Sequence, residues 1–197
     1  TTGAENVAIG TSALTDNTTG ASNTAIGRMA LRDNTTGDKN TALGHQALIA
    51  NTTGADNTGV GKNALVSNTT GASNTVIGAF AGDALTTGSL NTFIGFNAAT
   101  AGVVTGSENV AIGNAAAGPL TSGANNVCVG PDAGSGLSSG SNNLFLGHDA
   151  GRTGSPGGNQ TTGNGSIVLG DETVSDAYIQ VDWTVASDQR DKTDFTA

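Results

Sequence analysis

Two histidines, His45 and His148, are the obvious metal-ligand candidates, and each directly follows a glycine. The same place in other segments holds Thr11, Arg28, Lys62, Ala79, Phe96, Asn114 and Pro131, so the position is permissive and reads as solvent-facing decoration. A threefold axis would gather three copies of one histidine only if that position faced inward. Acids are scattered at varying places (Glu5, Asp16, Asp33, Asp38, Asp56, Asp83), with no histidine or second acid on a shared face. Glycoside hydrolysis needs two carboxylates held about 5–10 Å apart. Cys128 stands where other segments have Ala8, Ala25, Ala42 and Val76, which suits a small buried hydrophobe better than a redox thiol. Asn-Thr-Thr at 17, 34, 51 and 68 satisfies the N-glycosylation pattern but recurs as a turn. Thr18 and Thr19 are adjacent, so on a strand they would point to opposite sides and could not form a flat threonine array. Gly163-Asn164-Gly165 reads as a loop insertion. No catalytic residues, no metal and no cofactor are expected, and the chain does not read as an enzyme.

What positions all these residues is a repeat. The string Asn23-Thr24-Ala25-Ile26-Gly27 has relatives opening at 6, 40, 57, 74, 91, 109, 126 and 143, with a degenerate copy at 166. The first five steps are 17 residues each, and the later ones are 18, 17, 17 and 23. Period-2 geometry puts Thr24 and Ile26 on one side of a strand and Ala25 on the other. The fourth place is always aliphatic: Ile9, Ile26, Leu43, Val60, Ile77, Ile94, Ile112, Val129, Leu146 and Leu169. A column that never admits a polar residue is expected to be a stacked core. Glycine after so short a strand marks a bend. A recurring Ala-Leu piece and an Asn-Thr-Thr-Gly turn complete the unit, with Asn tolerating left-handed backbone. Fixed-period short strands predict an all-β parallel solenoid of about ten coils over residues 1–170.

Composition excludes several alternatives. Glycine makes up 31 of 197 residues, which argues against a helical bundle, since each helical Gly costs about 1 kcal/mol against Ala. With only 3 Pro and no Gly at every third place, collagen is excluded. Seven basic against 16 acidic residues give a net charge of −9, which disfavours nucleic acid. No apolar run approaches the ~20 residues of a membrane helix. Opening on Thr1 without a leader pattern, the chain reads as a piece of a longer one. Few large apolar residues fall in each repeat, so further burial is expected from other chains.

The composition shifts at Asp171. Residues 171–186 read as a terminal connecting segment, with a half-buried strand at 178–185 carrying Ile179, Val181, Trp183 and Val185 on one face. A charged stretch, SDQRDKTDF, follows at 187–195.

Two resemblances attach to these motifs. The AIG-x-x-A units resemble the head repeats of trimeric autotransporter adhesins, which implies a left-handed β-roll with three chains side by side, a homotrimeric shaft. SDQRDKTDF resembles the opening S-D-x-R-x-K of the endosialidase-type intramolecular chaperone found at the end of phage tail fibres and tailspikes. That likeness makes residues 187–197 the start of a truncated chaperone domain. It implies self-cleavage beside Ser187, with Asp188, Arg190 and Lys192 in the released module. Together they imply a structural segment of a trimeric phage tail fibre or spike in the virion. Its expected partners are other tail or baseplate proteins and a host surface glycan or protein receptor, with neither nucleic acid nor membrane insertion. The alternative is a bacterial surface adhesin head, on the cell surface, that binds matrix or glycans itself.

Overall fold

A computed structural model describes residues 2–100, 102–152, 155, 158 and 160–175. It contains ten three-residue strands: β1 (Val7–Ile9), β2 (Thr24–Ile26), β3 (Thr41–Leu43), β4 (Thr58–Val60), β5 (Thr75–Ile77), β6 (Thr92–Ile94), β7 (Val110–Ile112), β8 (Val127–Val129), β9 (Leu144–Leu146) and β10 (Ile167–Leu169). They form one parallel sheet in chain order, β1 to β10. Each repeat therefore winds once and lays its strand beside the previous one. The fold is the expected all-β parallel solenoid, and the described residues include no helix.

Register follows the repeat. Ile9 pairs with Ile26, Ile26 with Leu43, and Leu43 with Val60. The 18-residue step still pairs Thr92 with Val110, and the 23-residue step pairs Leu144 with Ile167. Extra residues are thus absorbed outside the strands.

The bend after each strand requires glycine. Gly61 has φ +133, and a Cβ there would lie 2.5 Å from the Gly78 carbonyl oxygen of the next coil. Past the bend, the chain turns through two left-handed residues separated by one, such as Met29 (φ 58) and Leu31 (φ 52). A branched side chain in that region costs about 1–2 kcal/mol. The coil contact offsets it: Leu31 is fully buried and its N–H donates to the Ala47 carbonyl at 3.0 Å.

Two columns of asparagine run through the interior. In the first, Asn23 donates through Nδ2 to the Gly37 carbonyl at 2.9 Å, while its Oδ1 accepts the Asn40 N–H at 2.9 Å. This pattern repeats from coil to coil through Asn143. In the second, Asn34 Nδ2 donates to Asn17 Oδ1 at 2.9 Å, and Asn51 and Asn68 continue the file. The expectation that Asn supplies left-handed turn geometry therefore needs correcting. Left-handed backbone falls one residue earlier, at Ser22, Lys39, Asp56 and Ser73, and the Asn side chains satisfy backbone inside the coil. Apart from Asn68, whose Oδ1 has no partner, the buried amides of both columns pair through nitrogen and oxygen alike, which is what a stacked coil needs.

Candidate functional site

The aliphatic column stacks as expected but faces the other way. Ile9 is 59% exposed and Ile77 41%, and Leu43, Ile112, Leu146 and Leu169 are exposed with them. Ile26, Val60, Ile94 and Val129 are half-buried. The reading of this column as the core of the chain is corrected: the core lies on the opposite side of each strand. Ala25, Ala42, Val76, Phe93, Ala111, Cys128 and Phe145 are fully buried there. The reason is width. A 17-residue coil must already enclose two Asn or Leu side chains, an Ala and a Leu, so the strand contributes mostly small residues inward. The result is an apolar ladder along the outer face of the sheet, flanked by Thr24, Thr41, Thr58, Thr75 and Thr92 in their own register column.

Ser187, Asp188 and the strand expected at 178–185 lie outside the described residues. Cys128 is buried, and burial alone pushes its thiol up to about 12, so it is protonated and inert at neutral pH. Asn34, Asn51 and Asn68 of the glycosylation-like strings are fully buried, and their Nδ2 atoms are spent on the ladder. The folded chain cannot carry glycans there.

The histidines have different fates. Arg28 Nη1 donates to His45 Nε2 across one coil at 3.0 Å. His148 lies 3.3 Å from Asp171 and 3.6 Å from Asp149. Asp132, His148 and Asp149 bring one ligand atom each to within 4.8 Å of one another. The sequence reading saw no acid sharing a face with a histidine; stacking coils makes that juxtaposition. Its donor types would suit a divalent transition ion. Asp149, however, already accepts from Arg152 Nη1 at 2.8 Å, and His148 lies against Asp171 at 3.3 Å, so two of the three groups are already engaged within the chain. The Thr173 hydroxyl, then its N–H, then His148 hold the Asp171 carboxyl down at about 2.

A second exposed feature lies on the corner after the closing glycines. Phe80 and Phe96 meet edge to face with centroids 6.1 Å apart, and Lys62 Nζ lies 5.1 Å from the Phe80 ring centroid. Sequence reasoning passed over this group because its members are 16 to 18 residues apart and differ in type. The permissiveness of the place after the closing glycine, which Lys62 and Phe96 occupy and Phe80 follows by one residue, was the available signal. No protein family, curated protein or solved structure matches the chain.

Proposed function

We propose that this chain is a structural segment of a trimeric viral tail fibre or spike of the phage type, whose stacked coils form a rigid shaft that projects and positions host-attachment surfaces. The observation that carries this reading is the aliphatic ladder, an apolar stripe running from Ile9 to Leu169 on the outer face of the sheet, flanked by threonines from β2 to β6 and widened by Val7, Val110, Val127, Leu144 and Ile167 in the other strands. Continuous exposed apolar surface of this kind marks an interaction face. Three copies turned toward a common axis would cover it with identical surfaces, as closed cyclic symmetry requires. The chaperone-like SDQRDKTDF segment supports the same reading. Parallel, non-local strand pairing forms slowly and leaves edges open meanwhile, so a module that aligns three chains has a physical purpose.

The test uses a residue that is exposed in the single chain. In a monomer, Ile77→Asp would be nearly neutral, within about 0.5 kcal/mol. In the trimer it would place three charges in a dry interface, where an unpaired charge is very costly. Light scattering at micromolar concentration should give a trimer for the parent and for Lys39→Ala, and smaller species for Ile77→Asp. A monomeric parent overturns the proposal. Mass spectrometry of the full-length product should show processing beside Ser187 that Ser187→Ala abolishes.

A further inference from the structure

Each coil of the corner that follows the closing glycine is held by backbone alone. Gln46, Asn63 and Phe80 donate their N–H groups to the carbonyls of Arg28, His45 and Lys62 at 2.9, 2.9 and 2.8 Å. The outward side chains there are therefore not needed for winding, and their chemistry calls for another explanation. From the β2 coil to the β6 coil they form one strip. Arg28 meets His45 at 3.0 Å, Lys62 sits over Phe80, and Phe80 meets Phe96. Phe96 is 52% exposed, although nothing in the repeat asks for an aromatic at that place. Two polar atoms of the same corner, His45 Nδ1 and Asn63 Oδ1, are buried without a hydrogen-bond partner. The strip gathers two of only 7 basic residues, with a histidine between them, on a chain whose net charge is −9.

The occupant follows from shape and charge. Four coil steps at about 4.8 Å make a strip roughly 19 Å long, which suits an extended polymer more than a single small molecule. Backbone groups along the corner are already paired between coils, so a peptide could not add itself as a strand. Binding must come from side chains: apolar ring surface from the two phenylalanines and positive charge from Arg28 and Lys62. Sugar rings offer C–H faces to such aromatics, and carboxylates answer the cations. We propose that the Arg28–Phe96 strip binds an acidic polysaccharide lying along the solenoid axis. The inference deepens the fibre reading by naming a class of attachment ligand, and it rests on that reading only in requiring the strip to stay uncovered in the assembly.

The experiment is affinity electrophoresis and calorimetry of the chain with polygalacturonate, against dextran, polyglutamate and oligothymidylate. Polygalacturonate should bind, more weakly as salt rises. Phe80→Ala with Phe96→Ala should weaken it about tenfold. Arg28→Gln with Lys62→Gln should weaken it and flatten the salt dependence. Circular dichroism and light scattering of each variant should match the parent. The proposal is overturned if polygalacturonate does not bind, if dextran, polyglutamate or oligothymidylate binds as well, or if the variants bind like the parent. A change of oligomeric state in Phe96→Ala also overturns it, since the strip would then be a subunit contact. The two proposals fail separately: a monomer that binds sinks the trimeric fibre alone, and a trimer that does not bind sinks the glycan site alone.

Discussion

The coils around β2 to β4 and those around β6 to β9 enclose interiors of the same shape with different side chains. In the first group the strand turns Ala25, Ala42 or Gly59 inward, the corner contributes Leu31, Leu48 or Leu65, and the far side carries Asn34, Asn51 and Asn68. In the second the strand turns in Phe93, Ala111, Cys128 or Phe145, the corner shrinks to Gly82, Ala99, Ala117 or Gly134, and the far side holds Leu85, Val104, Leu120 and Leu137. The two phenylalanines, Phe93 and Phe145, are matched by Gly82 and Gly134. A Cβ on Gly82 would come within 3.2 Å of the Phe93 ring, and one on Gly59 within 3.3 Å of Leu48. At the two phenylalanines volume is exchanged between places, as expected of a close-packed interior, while the β7 coil is small at both, with Ala111 and Ala117. The far side teaches something further. The file from Asn17 to Asn68 lies where every step is 17, and the coil stretched to 18 residues carries Val104 at that place, whereas the other amide column crosses the same step unbroken through Asn91 and Asn109.

The comparison can be broken most forcefully at Phe93. Phe93→Ala should cost about 3–5 kcal/mol through the cavity it leaves, measured by urea denaturation. If the two interiors are interchangeable, adding Gly82→Leu should recover a substantial part of that loss, because Leu65 already holds this place in a left-handed conformation (φ 54). A double variant no better than the single one would show that the two groups of coils are not equivalent.

Asn51 tests the amide file. Asn51→Leu strands Asn34 Oδ1 and one Asn68 N–H, both bonded to Asn51 at 2.9 Å, so it should cost about 3 kcal/mol. Replacing Asn17, Asn34, Asn51 and Asn68 together by leucine should cost less than that single change, since both members of each pair are removed and Gly37, Gly54 and Gly71 keep a donor from the other column. Additive losses over the four positions would break the argument.

Asn68→Leu should be milder, about 1 kcal/mol, because the file already ends there. Leu85 offers Asn68 Oδ1 no donor, and that oxygen is without a partner. The substitution only moves the unpaired acceptor back to Asn51.

The smallest effect lies at the last coil. Asp171 is held below its ordinary value, so its contribution to stability is present above about pH 4 and fades as pH falls toward 2. Thr173→Val removes the first of its donors, and an NMR titration should show the carboxyl rising toward the usual aspartate value of about 3.9.

Much of this architecture was legible in the chain. The 17-residue step, the bend at Gly27 and its equivalents, and the inward Ala30 and Ala47 are all written in one dimension, because a solenoid reads its neighbours at constant offset. Burial of Cys128 followed from the company it keeps in its column. The strip from Arg28 to Phe96 was not legible, since contact between coils is a property of stacking and its members mix types and places; Asp132 and Asp149 do fall 17 residues apart at one place of successive repeats, and that offset was the available signal for their meeting beside His148.

By itself the sequence determined that this chain winds, at what period, and which residues alternate across each strand. It could not determine which side of the strand is inside. Period-2 alternation separates Ala25 from Ile26 but is symmetric between the two faces, and hydrophobicity favours placing isoleucine within. The closed coil decided otherwise: it is narrow and already filled by asparagine, leucine and alanine, so the small residue goes in and the branched one is left on the surface.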